Sequence, residues 1–467
     1  YMPDTLFFGP EQGRGLLAVE KIVRNFDVTL IGSKTDVDGV FHGPVFYYLI
    51  ALPYFLSGGN PVSILFFLVV LHALGVLAVY EFNKELFGIR AGLFSALLYS
   101  TSFHAIEYAR WLSNPGLSLP LSALFFLSVV KAFRGNKKFV LLSAISAALL
   151  GQVEFINFLF VIPILLIIMF LFIKKGFSKK MIFIAIMIFL FVAGANYFIF
   201  DFRHDHILFY GLLNLITGST GHKNNFIQSF IQNWNMYSAV AGWTFGMQGS
   251  IISQIVAGLI LFTALFIALK HKVFLPLVWI SLPFVLLTLL QRNVLVQIYG
   301  FCIVGFISIA SFIVSRTWLN KWLSWSFVCI LSVLNIYYGV KVFRQGNTFF
   351  QSTQPNLRYS DMISGVDTVY SWANKEPFSI QSYTIPYFWQ DAWLYLFGWY
   401  GKNKYGYAPV AEKAKYLYVF IQQDWSNPKF QEEWYHNTVE TWGKKQRSIR
   451  FGDITVEERL VPESQRL

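Results

Sequence analysis

The stretch PVSILFFLVVLHALGVLAVY, residues 61–80, decides the fold class because it contains no charged residue over its whole length. A helix rises about 1.5 Å per residue, so a stretch of about 20 residues matches the ~30 Å hydrocarbon core of a bilayer. We therefore interpret residues 61–80 as a membrane-spanning helix.

The composition of the whole chain supports a membrane protein. Of its 467 residues, 55% are hydrophobic, 19% are aromatic and only 13% are charged, whereas soluble domains carry about 25% charged residues. The formal charge of +12 falls largely in short loops, which indicates membrane orientation and anionic headgroups rather than nucleic acid. Because the sequence starts at Tyr1 and not at Met, we expect an N-terminal part to be missing.

Similar apolar blocks recur along the chain and predict ten membrane-spanning helices. The blocks lie at about 61–80, 88–106, 116–132, 138–152, 155–173, 181–200, 250–269, 273–290, 294–314 and 322–341. The shorter segment 43–57 carries a proline near each end, which favours a helix in the membrane interface or a re-entrant helix.

The charges of the loops predict the orientation. Fourteen cations lie in one set of loops, 81–90, 131–138, 174–180, 270–272 and 316–321. The opposite set, 107–115, 153–154, 201–249 and 291–293, contains only Arg110, Arg203, Lys223 and Arg292. Since positively charged loops stay in the cytoplasm, the second set is extracytoplasmic. We expect an integral protein of the plasma (inner) membrane.

A change of composition after the last apolar block predicts three parts. Residues 1–60 form a first external loop with interfacial helices, 61–343 the transmembrane bundle and 344–467 a small external α/β domain. In the last part, 378–385 and 415–422 are typical of strands, 360–375 of a helix and 447–460 of a hairpin.

Polar side chains recur at the external ends of the predicted spans. Charges at membrane depth are costly unless they pair or line a polar cavity, so the whole set favours a shared cavity over separate solvated loops. The candidate residues are Glu11, Gln12, Arg14, His42, Arg110, Asn114, Glu154, Arg203 and His204.

Three features of this set suggest one chemistry. Arginine binds phosphate through its planar guanidinium, and a lone carboxylate near a phosphate suits general base catalysis. The apolar surroundings suit a lipid tail. Together they indicate transfer of a group from a lipid phosphate carrier.

The sequence resembles the GT-C class of integral-membrane glycosyltransferases, specifically the bacterial branch related to protein O-mannosyltransferases and the lipid A aminoarabinose transferase. The resemblance covers most of residues 5–340, and the C-terminal domain is similar to the variable external domains of such enzymes. The similar stretches are FFGPEQGRGLLAVEKI (7–22) with TLIGSKTDVDGVFHGPVFYYLIALPYF (29–55), EYARWLSNPGLSLPL (107–121), GQVEFINFLFVIP (151–163) and FDFRHDHILF (200–209).

The resemblance implies a GT-C-like bundle and a polyprenyl-phosphate sugar donor. An acidic residue of the first external loop, here Glu11, would deprotonate the acceptor, and attack at the anomeric carbon would invert its configuration. Arg203, and then Arg110, would hold the leaving lipid phosphate. The remaining candidates, Gln12, Arg14, His42, Asn114, Glu154 and His204, would bind or position substrates.

Two positions depart from the family pattern. The family usually has aspartate where Glu11 stands, so the carboxylate of Glu11 extends about one methylene further. Members often have histidine two residues after the glutamine that corresponds to Gln152, whereas this chain has Glu154. Glu154 is therefore either a second acidic participant or a partner of Arg110 or Arg203.

Other functions stay open at this stage. The alternative is a transporter or flippase of lipid-linked sugars, although such proteins usually show paired repeats and helices broken at the midplane. A third is a non-catalytic surface or assembly protein. For the enzyme we expect a glycan, lipid or protein acceptor, contacts with membrane lipids, no nucleic acid and no organic cofactor. The residues leave a metal requirement open.

Overall fold

The computed structural model describes residue 4 and residues 6–217, 225–247, 249–291, 295–316, 320–344, 357–385 and 387–466. Two of the predicted external cations, Lys223 and Arg292, lie outside these residues. The helices that precede the C-terminal domain are α1 (Pro10–Asn25), α2 (Val45–Ser57), α3 (Pro61–Phe87), α4 (Ile89–Thr101), α5 (Phe103–Ala109), α6 (Ser118–Phe133), α7 (Lys138–Val153), α8 (Asn157–Lys174), α9 (Lys179–Arg203), α10 (Ile207–Thr217), α11 (Phe226–Thr244), α12 (Ser250–His271), α13 (Leu275–Leu290), α14 (Ile303–Arg316) and α15 (Lys321–Arg344).

Among the described residues, seven helical segments are long and apolar enough to cross a membrane. Three of the ten predicted blocks form the shorter helices α4, α7 and α13 instead. The α-helical polytopic membrane fold is therefore confirmed. The seven segments are Pro61–Phe87, Asn114–Phe133, Asn157–Lys174, Lys179–Arg203, Ser250–His271, Val296–Arg316 and Lys321–Val342.

The predicted helix at 43–57 is present as α2, and a tight turn separates it from α3. Gly58 ends α2 with a φ of 61°, a left-handed conformation that glycine adopts without a steric penalty. The side chain of Asn60 then caps α3 by accepting a hydrogen bond from the backbone N–H of Val62, at 2.9 Å. This turn fixes the direction in which the first loop enters the bundle.

The predicted external loop 201–249 contains more helix than the apolar pattern indicates. Its helix α11 is rich in Gln and Asn, so no long apolar block marks it. The helix is nevertheless packed, because buried Asn233 accepts a hydrogen bond of 3.0 Å from the hydroxyl of Tyr299. A hydropathy pattern does not detect a helix of this kind, because its polar residues pair inside the bundle.

The C-terminal domain has the predicted α/β composition. Its four-stranded sheet has the order β1-β2-β4-β3, in which β1 and β2 are parallel, and β4 pairs antiparallel with both β2 and β3. The predicted strands, helix and hairpin are all confirmed. The elements are α16 (Tyr359–Ala373), β1 (Phe378–Tyr383), α17 (Asp391–Leu396), α18 (Lys402–Tyr405), β2 (Tyr416–Gln422), α19 (Pro428–Asn437), β3 (Lys444–Phe451) and β4 (Ile454–Leu460).

The first loop shares a hydrophobic core with the C-terminal domain. One cluster of buried residues joins Phe8 and Leu16 of the N-terminal segment to Trp393, Phe420 and Val456 of that domain. A separate cluster fills the helix bundle. Burial of apolar area is the main favourable term in folding, so the two ends of the chain stabilise each other.

Candidate active site

Helix α1 carries Glu11 in its first turn, directly after Pro10. The neighbouring Gln12 is buried and caps the helix, because its Oε1 accepts a hydrogen bond of 3.1 Å from the backbone N–H of Gly9. Gln12 therefore has a structural contact that orients the turn, while the side chain of Glu11 projects outward and is partly exposed.

The surroundings of Glu11 disfavour its charged form. Desolvation raises the pKa of this carboxyl, and the charge of Asp36 acts in the same direction. The nearby guanidinium of Arg14 opposes both by lowering it. A base whose pKa lies closer to neutral accepts a proton more strongly, which suits general base catalysis.

Asp36 lies in a compact turn of the first loop. The turn is closed by the N–H of Thr35, which donates to the carbonyl oxygen of Val40 at 3.0 Å, and by a β-bridge between Lys34 and Phe41. The sequence analysis missed Asp36. The signal was present in the segment Asp-Val-Asp-Gly, which is typical of a turn and lies in the loop that carries Glu11.

Buried amides join this loop to the bundle. The N–H of Gly43 donates to the carbonyl oxygen of Gln152 at 2.8 Å, and a Cβ on Gly43 would lie 1.7 Å from Oε1 of Gln152. Gln152 Nε2 donates to Asn196 Oδ1 at 2.7 Å, and Asn196 Nδ2 donates to the carbonyl oxygen of Leu30 at 2.9 Å. These contacts fix the first loop against α7 and α9.

Glu154 ends helix α7 beside the same loop. Burial, with smaller contributions from the charges of Asp36 and Glu11, raises the pKa of its carboxyl to about 8. Buried Asn114 holds this corner, since its Nδ2 donates to the carbonyl oxygen of Val153 at 2.7 Å. At neutral pH the carboxyl of Glu154 is therefore mainly protonated.

His42 is buried next to Glu154 and is neutral. Its Nδ1 accepts a hydrogen bond of 3.2 Å from the N–H of Phe155, and burial lowers the pKa of the imidazole to about 4. The 3.6 Å between His42 Nδ1 and Glu154 Oε1 is therefore a contact between neutral groups rather than an ion pair. The hydrogen-bonded Nδ1 leaves the proton on Nε2.

The two arginines predicted to bind phosphate differ in their surroundings. Arg110 follows the short helix α5, where burial lowers the pKa of its guanidinium to about 10 and the charge of Glu107 partly restores it. Arg203 ends α9 with an exposed side chain. Among the described residues, none of the hydrogen bonds or ion pairs that we observe includes Arg203.

Local contacts account for the other polar groups of the 201–206 corner. Asp201 Oδ1 accepts hydrogen bonds from the N–H groups of Leu208 and Phe209, at 2.8 and 3.1 Å, and so caps α10. His206 Nδ1 lies 3.2 Å from Asp201 Oδ2. The ring of His204 stacks on that of Phe200 with the centroids 4.1 Å apart.

The structure thus brings part of the predicted set together. Glu11 and Glu154 interact electrostatically with each other and with Asp36, while Arg14 pairs with the C-terminal domain. The predicted cavity shared by these residues stays a prediction. Within the described ranges, no group of three or more His, Cys, Asp or Glu side chains is arranged to hold a metal ion.

The site lies partly within a segment that matches a known family. Residues 41–198 match the family model described as dolichyl-phosphate-mannose-protein mannosyltransferase. The matched segment includes His42, Arg110, Asn114 and Glu154, whereas Glu11 precedes it. No curated protein is significantly similar to the chain in sequence.

The overall fold is similar to that of ArnT from Cupriavidus metallidurans. Superposition on the crystal structure of ArnT bound to undecaprenyl phosphate gives a TM-score of 0.61 at 12% identity, and the match covers 98% of this chain and 95% of ArnT. The apo structure of ArnT gives a TM-score of 0.58 at 11% identity with the same coverage. The predicted resemblance is thereby confirmed for the fold, which is similar to that of ArnT, and for residues 41–198, which match the mannosyltransferase family model.

Proposed function

We propose that the protein is a membrane glycosyltransferase that moves a sugar from a polyprenyl-phosphate carrier to a glycan, lipid or protein acceptor. In this proposal the reaction takes place on the extracytoplasmic side of the plasma (inner) membrane, a side that the distribution of loop charges supports. The observation that carries the proposal is the group of three interacting carboxylates, Glu11, Asp36 and Glu154, at one end of the bundle.

The comparisons support the donor class. ArnT, which shares the fold, has been crystallised with undecaprenyl phosphate, and the matched family is described as using dolichyl-phosphate mannose. Undecaprenyl phosphate is a long polyprenyl chain that ends in a single phosphate, and dolichyl-phosphate mannose carries its sugar on a phosphate of the same kind. A phosphate of this type suits a site at the membrane rim, because its lipid tail stays in the hydrocarbon core.

Glu11 is the general base of the proposed reaction. Its carboxylate accepts the proton of the acceptor hydroxyl or amine while the acceptor oxygen or nitrogen forms a bond to the anomeric carbon. The bond between that carbon and the phosphate oxygen breaks, and its electron pair leaves with the lipid phosphate. Attack opposite the leaving group inverts the configuration at the anomeric carbon.

Charge distribution around Glu11 supports this direction of proton transfer. The neighbouring carboxylate of Asp36 favours the protonated form of Glu11, which is the form that the base reaches in the transition state. Arg203 is exposed and Arg110 remains cationic, so both are suited to hold the phosphate of the lipid carrier. Gln12, His42, Asn114 and His204 would position substrates or the loops that contact them.

The proposal is tested with protein purified in detergent, where no second compartment exists. We expect labelled sugar to move from polyprenyl phosphate to an acceptor, with release of one equivalent of polyprenyl phosphate per sugar transferred. A transporter or flippase binds the carrier but leaves the sugar–phosphate bond intact. Binding of the carrier without release of polyprenyl phosphate, for each acceptor class supplied, would contradict the enzyme and favour the transporter.

A further inference from the structure

The C-terminal domain contacts the helix that carries Glu11. Arg14, one helical turn after Glu11, places its Nη2 atom 3.1 Å from Oδ2 of Asp391 at the start of α17. The same guanidinium lies over the ring of Trp389, with its Cζ atom 4.3 Å from the ring centroid. Ion pairing and cation–π contact together hold one guanidinium from two directions.

The backbones of the two helices approach closely at Gly13. A Cβ at this position would lie 2.4 Å from the backbone nitrogen of Ala392 and 2.5 Å from the carbonyl carbon of Asp391. Any side chain would displace backbone atoms of α17, so the approach requires glycine at Gly13. The contact between α1 and α17 therefore joins two helix backbones, and does not depend on long surface side chains alone.

A second contact ties α17 and the residues after it to the other end of the first loop. The hydroxyl of Tyr395 donates to the carbonyl oxygen of Gly59, and Trp399 Nε1 donates to that of Gly58 at 2.7 Å. Phe8 packs against Tyr395 with the ring centroids 5.8 Å apart. The C-terminal domain thus holds both the start of α1 and the turn between α2 and α3.

The charge of Arg14 is shared between two carboxylates. On its own helix it faces Glu11, and across the domain contact it faces Asp391. Tyr47 of α2, Asp36 of the first loop and Glu154 at the end of α7 are the other titratable groups that interact with Glu11. Arg14 is the only cation among these partners, so its position sets the charge balance at the base.

We infer that Asp391 is a positioning residue of the active site, which fixes the guanidinium of Arg14 beside Glu11 so that the C-terminal domain completes the catalytic arrangement. The inference rests on the proposed function, in which Glu11 is the base. Partly exposed ion pairs contribute little to stability. The close approach at Gly13 that supports the Arg14–Asp391 pair is therefore better explained by the position that it gives to the charge of Arg14.

The test compares pH profiles of kcat/KM for the full-length protein. In Asp391→Asn the guanidinium is no longer held beside Glu11, so it lowers the pKa of Glu11 less and the acidic limb moves to higher pH. Arg14→Gln removes the cation and moves that limb to higher pH. We expect Asp391→Asn to lower kcat/KM at neutral pH by about tenfold to a hundredfold, the range for a misplaced catalytic group.

Three further variants make the result specific. The double variant Arg14→Gln with Asp391→Asn should have the same pH profile of kcat/KM as Arg14→Gln alone, because Asp391 acts through Arg14. Asp391→Glu keeps the charge and stays close to wild type, which separates charge placement from a folding defect. Glu440→Gln, a carboxylate of the same domain that pairs with His436, serves as the matched control.

Two results would overturn the inference, and they differ from failure of the proposed function. An acidic limb in Asp391→Asn that stays with the control or moves to lower pH contradicts it, as do additive effects in the double variant. If Glu11→Gln is inactive and one of these two results occurs, only the positioning role of Asp391 is wrong and the proposed function still holds. If Glu11→Gln transfers sugar at the wild-type rate, both the base and its positioning residue are wrong.

Discussion

The turn around Glu11 and the corner around Arg203 look alike in sequence, since both place acidic, basic and polar residues beside apolar residues in a predicted external loop. In the structure they differ. Asp201 and His206 satisfy each other and cap a helix, and His204 stacks on Phe200. Burial and neighbouring acidic groups instead raise the pKa values of both Glu11 and Glu154.

The difference teaches how to separate structural from functional charge at a membrane rim. A polar group that caps its own helix offsets its cost by a local hydrogen bond. Carboxylates from separate loops that raise each other's pKa values destabilise the fold, and such strain is typical of functional sites. By this criterion Arg203 in the 201–206 corner is available for a ligand.

The largest effect is expected when the contact behind the Glu11 turn is broken. In Gly13→Ala the new Cβ meets the backbone of Ala392 at 2.4 Å, so α17 must retreat and the rate of sugar transfer falls by about a hundredfold. Gly15→Ala on the same helix is the matched control, because its Cβ would meet Tyr47 at an ordinary 3.7 Å. Equal transfer rates for both variants would show that the domain contact does not matter to the Glu11 region.

A second prediction addresses the other region. Arg203→Gln removes the exposed cation of the 201–206 corner, and we expect KM for the polyprenyl-phosphate donor to rise roughly tenfold with kcat nearly unchanged. The reason is the loss of a charge-assisted hydrogen bond, which contributes roughly 1.5–3 kcal/mol. Lys272→Gln, an exposed cation of the opposite set of loops, should leave KM unchanged. A KM that matches this control would remove Arg203 from the site.

A third prediction concerns the support of Glu154. Asn114→Ala removes the 2.7 Å hydrogen bond to the carbonyl oxygen of Val153 and leaves that buried acceptor unpaired, at a cost of about 1–3 kcal/mol. We expect a fall of a few degrees in the unfolding temperature and a lower kcat. Asn136→Ala, whose side chain is exposed, is the control. An unfolding temperature equal to that of the control would contradict the supporting role.

The smallest effect is a pH-dependent gain in stability. The pKa of Glu154 is raised from 4.5 to about 8 in the folded protein, so its favourable contribution is complete below pH 4.5 and is lost as the pH rises through 8. Glu154→Gln should therefore raise the unfolding temperature at pH 8 by a few degrees and change it little at pH 5. A gain of the same size at both pH values, or none relative to Glu440→Gln, would show that Glu154 is not desolvated as described.

The sequence predicted the parts of the fold that depend on local patterns. Apolar length predicted the membrane helices, and alternation predicted the strands of the C-terminal domain. It did not predict α11, whose Asn233 and Tyr237 are buried within the bundle, because polar side chains that pair in the interior lower the hydropathy of a packed helix.

The site was predictable only in part. Glu11 and His42 lie in the predicted first external loop and Glu154 directly follows an apolar block, which are local signals. The ion pair of Arg14 with Asp391 spans 377 positions of sequence, and no local pattern indicates a contact of that range. Arg14 was predicted to bind substrate, and its observed partner is a carboxylate of the C-terminal domain, so its role in binding stays a prediction.

The most direct test of the central claim measures release of polyprenyl phosphate in single-turnover reactions of purified wild type, Glu11→Gln and Glu20→Gln. Glu20 lies on the same helix and pairs with Arg24 at 3.2 Å, so it controls for loss of a carboxylate on α1. If Glu11 is the base, Glu11→Gln binds the donor normally and loses about 10²–10⁴-fold in rate, while Glu20→Gln keeps the wild-type rate. Wild-type release by Glu11→Gln would contradict the account.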